Sequence, residues 1–196
     1  MSVDKDYDTL SKMLSTLMND VARCYGGLKA VENSGTTEDQ YFWRRVLTRA
    51  VFSAIEGSCE LFRRQAFVAE LNKVARHRFM HLPSLSVLSG KTFYVTNGGE
   101  IRIQDLRIRF LDHVLLSLKR YAEAQGVSYR TKKGDQWCRI QKAVRVRDRI
   151  THPKNLAALA ISSEEIGDIE FSLKWFLNEV ENIFRDKGAE IPPILL

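Results

Sequence analysis

Proline and glycine are scarce, with 4 and 11 in 196 residues. That excludes collagen-like and low-complexity chains and argues against a turn-rich β-sandwich. Cysteine is limited to Cys24, Cys59 and Cys138, far apart and with no CxxC pair. An odd, scattered set predicts reduced thiols in a cytoplasmic protein, each buried as a small hydrophobe, rather than a disulfide framework. No apolar run approaches the roughly 18 residues of a membrane span. The opening MSVDKDYDTL is acidic and polar, unlike a signal peptide, so no membrane association is expected. There is no Gly-rich phosphate loop, no G-x-S-x-G and no Cys–His nucleophile arrangement. His77 and His81 have the spacing of a helical metal pair, but no Glu follows His77 and no Cys or acidic cluster supports it. Neither a metal nor a cofactor is expected.

What is present is enough apolar content for a real core: 44% of residues are hydrophobic and 28% charged. The length fits one domain over residues 1–196. The net charge of +6 is unevenly spread. Residues 1–100 carry +2, residues 101–160 carry +9 and residues 161–196 carry −5. A basic middle followed by an acidic last helix suggests an anionic partner for one region, although a solvated basic face would look the same.

Apolar residues at Leu10, Met13, Leu14, Leu17, Met18, Val21, Tyr25 and Leu28 predict an amphipathic helix, weakened at Gly26-Gly27 and broken at Asn33-Ser34-Gly35. Thr37-Glu38-Asp39 opens a longer helix whose apolar residues cover two sides, reaching about Val74. Pro83 and the Ser/Leu-rich stretch around it interrupt the helical reading. Two β-prone runs flanking Asn97-Gly98-Gly99 predict a hairpin inserted at about residues 90–104. A third helix is read from Leu106 to near Gly126, and a fourth from Asp135 to His152, where Pro153 disfavours helical geometry. After a short connection, Ser162 and Glu165 form a capping box for the last helix, which Gly188 ends. The expected fold is an all-α antiparallel bundle with one small β-hairpin.

The segment with chemical potential is Val146-Arg147-Asp148-Arg149-Ile150-Thr151-His152-Pro153-Lys154. Residues five apart on a continuous helix point about 140° away from each other. Arg147 and His152 can therefore share a site only where the helix breaks. Glu56 lies among Ala54, Ile55, Gly57 and Ser58; it is a partly exposed acid or, if buried, a carboxylate needing a partner such as Arg147. Thr151 is read either as a supporting residue or as one that simply faces the core.

This segment resembles the R-x(4–6)-H signature of HEPN domains, most often R-[N/D/H]-x(3)-H, here Arg147-Asp148-x3-His152. The context is similar over residues 134–187: an amphipathic helix, the motif near its end, a short connection and a capped final helix. The bare spacing recurs at Arg145–His152, Arg107–His113 and Arg76–His81, so position rather than spacing singles out 147–152. The resemblance implies a HEPN-like helical bundle and a metal-independent endoribonuclease, a toxin or defence effector. Such proteins act as homodimers, with two motifs meeting in a positively charged cleft. It implies catalytic roles for Arg147 and His152, with Asp148 orienting Arg147 or the opposite His unless it is an ordinary surface acid. Arg145, Arg149 and Lys154 would guide RNA, and an antitoxin or regulatory protein would be a further partner. Some family toxins carry R-x4-H-x-Y, whose Tyr is modified by a nucleotidyltransferase antitoxin; Lys154 stands there, so that control is not expected. Some family members are inactive, which leaves open a module that only binds nucleic acid or a protein partner. A plain helical scaffold would leave the +9 segment unexplained.

Overall fold

The computed structural model describes residues 3–32, 35–75, 82–131 and 133–187. Among them are six α-helices: α1 (Val3–Glu32), α2 (Thr37–Ala75), α3 (Leu82–Ser89), α4 (Phe110–Ala124), α5 (Asp135–Thr151) and α6 (Ser163–Lys187). The strands β1 (Lys91–Val95) and β2 (Ile101–Asp105) form one antiparallel pair, and a 3₁₀ turn covers Leu156–Leu159. The described residues are thus mainly helical with a single hairpin, as the hydrophobic periodicity predicts. No described helix is long and apolar enough to cross a membrane.

The chain divides into two compact units, and the boundary falls inside α2. The first comprises residues 1–58 and 131–196. Its core takes Leu14, Val21 and Leu28 from α1, and Leu47, Val51, Phe52 and Ile55 from α2. Ile140, Ala143, Val146 and Ile150 come from α5, and Ile169, Phe176, Val180 and Ile183 from α6. These positions recur every three or four residues, so each helix buries one stripe. The α5 stripe packs on α6, which orients the rest of α5 outward.

The second unit, residues 59–130, is built on Cys59, Phe62, Ala66, Leu88, Val114, Leu118 and Tyr121. Phe62 and Tyr121 stack at 4.5 Å between ring centroids. Arg63 donates to the Leu88 carbonyl and, through Nε, to Glu60 at 3.0 Å, satisfying a carbonyl at the end of α3.

Three expectations change. The Pro83 stretch is helical: Pro83 lies in the first turn of α3, where an N–H would have no intrahelical partner, so the ring costs nothing there. Leu106 precedes α4 rather than joining it; its N–H donates to the Gly90 carbonyl at 2.9 Å and closes the base of the hairpin. The connection after α5 contains the 3₁₀ turn, whose N-cap Asn155 accepts the Ala158 N–H at 2.9 Å. The Arg76–His81 match, the His77/His81 pair, the Asn33-Ser34 break and Gly188 lie outside the described residues.

Gly26-Gly27 does not interrupt α1, which continues to Glu32. Gly27 instead permits close approach: a Cβ there would sit 2.6 Å from the Trp43 ring of α2. Nothing lies within 4 Å of a Cβ at Gly26. Gly27→Ala is therefore expected to destabilise the protein by about 1–3 kcal/mol through overpacking. Gly26→Ala should stabilise it by roughly 0.5–1 kcal/mol, because it removes only backbone entropy from the unfolded chain. Urea unfolding of the two variants checks the opposite signs.

Candidate functional site

α5 places the motif at its last turn. Val146 and Ile150 are buried, and Arg147 and Asp148 sit between them on the helix's other side. The helix stops because Pro153 restricts the residue before it. His152 has φ −126° and ψ 65°, outside helical geometry, while its N–H still donates to the Asp148 carbonyl at 3.0 Å. His152 is thus the C-cap of α5, and its imidazole is exposed.

Glu56 and Asp148 both engage Arg147. Its Nη2 donates to Glu56 Oε1 on α2, and its Nη1 donates to Asp148 Oδ1 at 3.1 Å. Glu56 is 43% exposed at its side chain, and Arg147 27%. Glu56 is therefore both a partly exposed acid and the partner of Arg147. The pair fixes the guanidinium against α2 but leaves it reachable by solvent.

His152 lines an open hollow of about 600 Å³ together with Asp148, Arg149, Lys154, Asn155, Ala157 and Ala158. Arg147 is not among its lining residues. Asp148 connects Arg147 with His152: it accepts from Arg147 and lines the hollow that holds His152. Lys154 is exposed at the same mouth.

Arg149, expected to guide RNA, acts in this structure as a structural clamp. Its Nε donates to the Ala158 carbonyl at 3.1 Å, and its Nη2 to the Ala160 carbonyl at 2.7 Å. It also holds both oxygens of Glu165, at 2.8 and 3.1 Å. Four of the five guanidinium donors are thus committed to the protein, and little is left for a phosphate. Arg44 and Arg45 of α2 complete this clamp by donating to the carbonyls of Ile161 at 2.8 Å and Leu159 at 3.4 Å. Burial alone would raise the Glu165 carboxyl. The hydrogen bonds from Arg149 and the Ser162 N–H outweigh that and hold it below its ordinary value. The capping box forms in both directions: Ser162 N–H to Glu165 at 2.9 Å and Glu165 N–H to Ser162 Oγ at 3.2 Å. The segment after His152 is therefore a rigid wall of the hollow.

Arg145 lines a separate hollow of about 510 Å³ with Lys142, Ser162, Glu164, Glu165 and Asp168. The acids there pair with other cations, Glu165 with Arg149, Asp168 with Arg139 and Glu164 with Lys142, and Arg145 is exposed beside them. Arg139, from the same basic segment, is also structural, pairing with the buried Asp168 at 2.6 Å. Thr151 does not face the core. It is exposed, and its hydroxyl donates back to the Arg147 carbonyl at 2.7 Å. Asn155 lines the His152 hollow without having been singled out in the sequence; its preference for N-cap positions before a short apolar run was the available signal.

The other described histidine differs. His113, of the Arg107–His113 match, is only partly accessible, and burial followed by the charge of Arg63 holds it below its ordinary value. It favours the neutral form. Among the described residues, no three His, Cys, Asp or Glu side chains gather as a metal site. No known family, curated protein or solved structure matches this chain.

Proposed function

We propose that the chain is a metal-independent endoribonuclease of HEPN type, a toxin or defence effector that acts on RNA as a homodimer. One observation carries the reading. An exposed imidazole caps the broken end of α5 and faces a hollow with Asp148 and Lys154, one carboxylate away from a fixed guanidinium.

Strand scission by the neighbouring ribose needs three things. The 2′-OH must lose a proton as it attacks phosphorus, the leaving 5′-oxygen must gain one, and the phosphorane charge must be balanced. Imidazole titrates near neutrality and can do either proton transfer. Guanidinium stays charged and pairs two donors with phosphate oxygens. Two copies would complete the site, since one imidazole cannot be base and acid in the same step and Arg147 does not line the His152 hollow of its own chain. One His152 would act as base, the other as acid, with Arg147 on the phosphorane. Asp148 orients Arg147, Glu56 backs it from α2, and Lys154 attracts the RNA backbone.

These groups supply acid, base and cation without a metal. Cleavage is therefore expected to persist in excess EDTA and to leave a 2′,3′-cyclic phosphate and a 5′-OH. DNA of the same sequence should survive, since it lacks the nucleophile. Electrophoresis and mass spectrometry of the products check this. Loss of activity in EDTA, or equal cleavage of DNA, rejects the mechanism. One observation favours the second reading, an inactive module that binds nucleic acid or a protein: Glu56 and Asp148 already occupy both ends of the Arg147 fork. That module would bind RNA and leave it intact in the same assay.

A further inference from the structure

The hairpin carries a surface that the proposed chemistry does not use. In the β1–β2 register, Phe93 lies opposite Ile103 and Val95 opposite Ile101. Alternation puts these four side chains on one face. They are 64–74% exposed, and together with Tyr94 they make up half of the large apolar side chains left exposed among the described residues. Single exposed apolar residues need no explanation, but four on one face of a five-residue ribbon do.

The ribbon is well defined at both ends. At its tip, Thr96 and Glu100 pair across a three-residue loop, and Gly99 supplies the left-handed position at φ 78°. At its base, Lys91 bonds Asp105 at 2.6 Å, and Ser86 of α3 donates to the Lys91 carbonyl at 2.7 Å. Every β2 residue is nevertheless exposed, and a two-stranded ribbon with neither face covered is marginal in water.

We propose that this face is a self-association surface, meeting the same face of a second copy of the chain across a two-fold axis. Charge favours a copy. The face holds Lys91 and Asp105, already paired with each other, and is otherwise apolar, so two copies meet without like-charge conflict. An RNA strand would find no uncommitted cation on it. Area agrees: the four side chains expose roughly 500 Å². Two copies would bury about 1,000 Å², the lower bound for a specific interface. A contact of this kind is isologous and closes as a dimer.

The inference uses no residue of the Arg147–His152 site, and its test reads mass rather than cleavage. Sedimentation equilibrium of the full chain should show a concentration-dependent dimer. Ile101→Lys/Ile103→Lys should weaken it at least about tenfold, since each charge would be buried without a partner. Gln104→Lys, on the opposite face, should leave it unchanged, and the helical circular dichroism of all three proteins should coincide. A wild-type chain that stays monomeric at every concentration overturns this proposal and the homodimer of the proposed function together. A dimer that survives the Ile101→Lys/Ile103→Lys change undiminished overturns this proposal alone, because that dimer is held elsewhere. Equal weakening by Gln104→Lys would show added charge rather than the apolar face at work, and would overturn it too.

Discussion

His152→Ala is expected to abolish RNA cleavage, lowering the rate by about four orders of magnitude or more. A single positioned acid or base is worth about 10²–10⁴. In a two-fold dimer the same substitution removes both, because each chain supplies the same residue once. The fold should not change. His152 is exposed, it follows the last helical residue of α5, and the bond that caps the helix uses its backbone N–H rather than its ring. The wall beyond it is held by Arg44, Arg45, Arg149 and Asn155, none of which depends on the imidazole. The check is a cleavage assay beside thermal unfolding of the same preparations. Full activity in the alanine variant would remove His152 from the mechanism. His113→Ala, at the alternative match, should instead perturb stability, since that side chain is partly buried within the field of Arg63 and Glu60.

The contrast between these histidines explains what could be read from the sequence and what could not. Helices with one apolar stripe were legible because burial repeats with the helical period: α5 and α6 run within a residue or two of their expected bounds. The capping box and the stop at Pro153 were legible because both act over three residues or fewer. Pro83 misled because the same residue that ends a helix is also welcome in the first turn of one, and only the chain on either side decides. Gly27 misled for a related reason. Sequence shows its low helix propensity, while its purpose, the approach of Trp43, comes from a helix sixteen residues on.

Charge was the least legible feature. The +9 segment suggested a basic face, yet Arg139 and Arg149 spend their donors on Asp168, Glu165 and backbone carbonyls. Arg145 stands in a different hollow, lined by as many acids as bases. A guanidinium can hold a loop or a phosphate with the same five donors, and the sequence does not say which acceptor is near. Of the three proposed RNA guides, Lys154 alone stands in the His152 hollow without a committed role. The Glu56–Arg147 pair was foreseen as one of two alternatives, and both features of those alternatives hold: the acid is partly exposed and it is paired.

That pair sets up the second large effect. Arg147→Lys is expected to lower cleavage about a hundredfold or more, although the charge is kept. A lysine offers a point charge, and it cannot reach Glu56 and Asp148 through a fixed fork while presenting paired donors to a phosphorane. The loss should appear in kcat more than in KM, because the interaction strengthens only as charge develops on phosphorus. Glu56 separates positioning from chemistry. Glu56→Gln keeps an acceptor for Nη2 but removes a carboxylate that competes with phosphate, so substrate binding should be unchanged or tighter. Glu56→Ala leaves Arg147 unsupported on that side, and kcat should fall about tenfold or more while RNA is still bound. Steady-state kinetics on one RNA substrate distinguish the two. Equal kcat in Arg147→Lys and the wild type would show that a positive charge alone suffices. Equal losses in Glu56→Gln and Glu56→Ala would show that the Glu56 charge matters rather than its hold on the guanidinium.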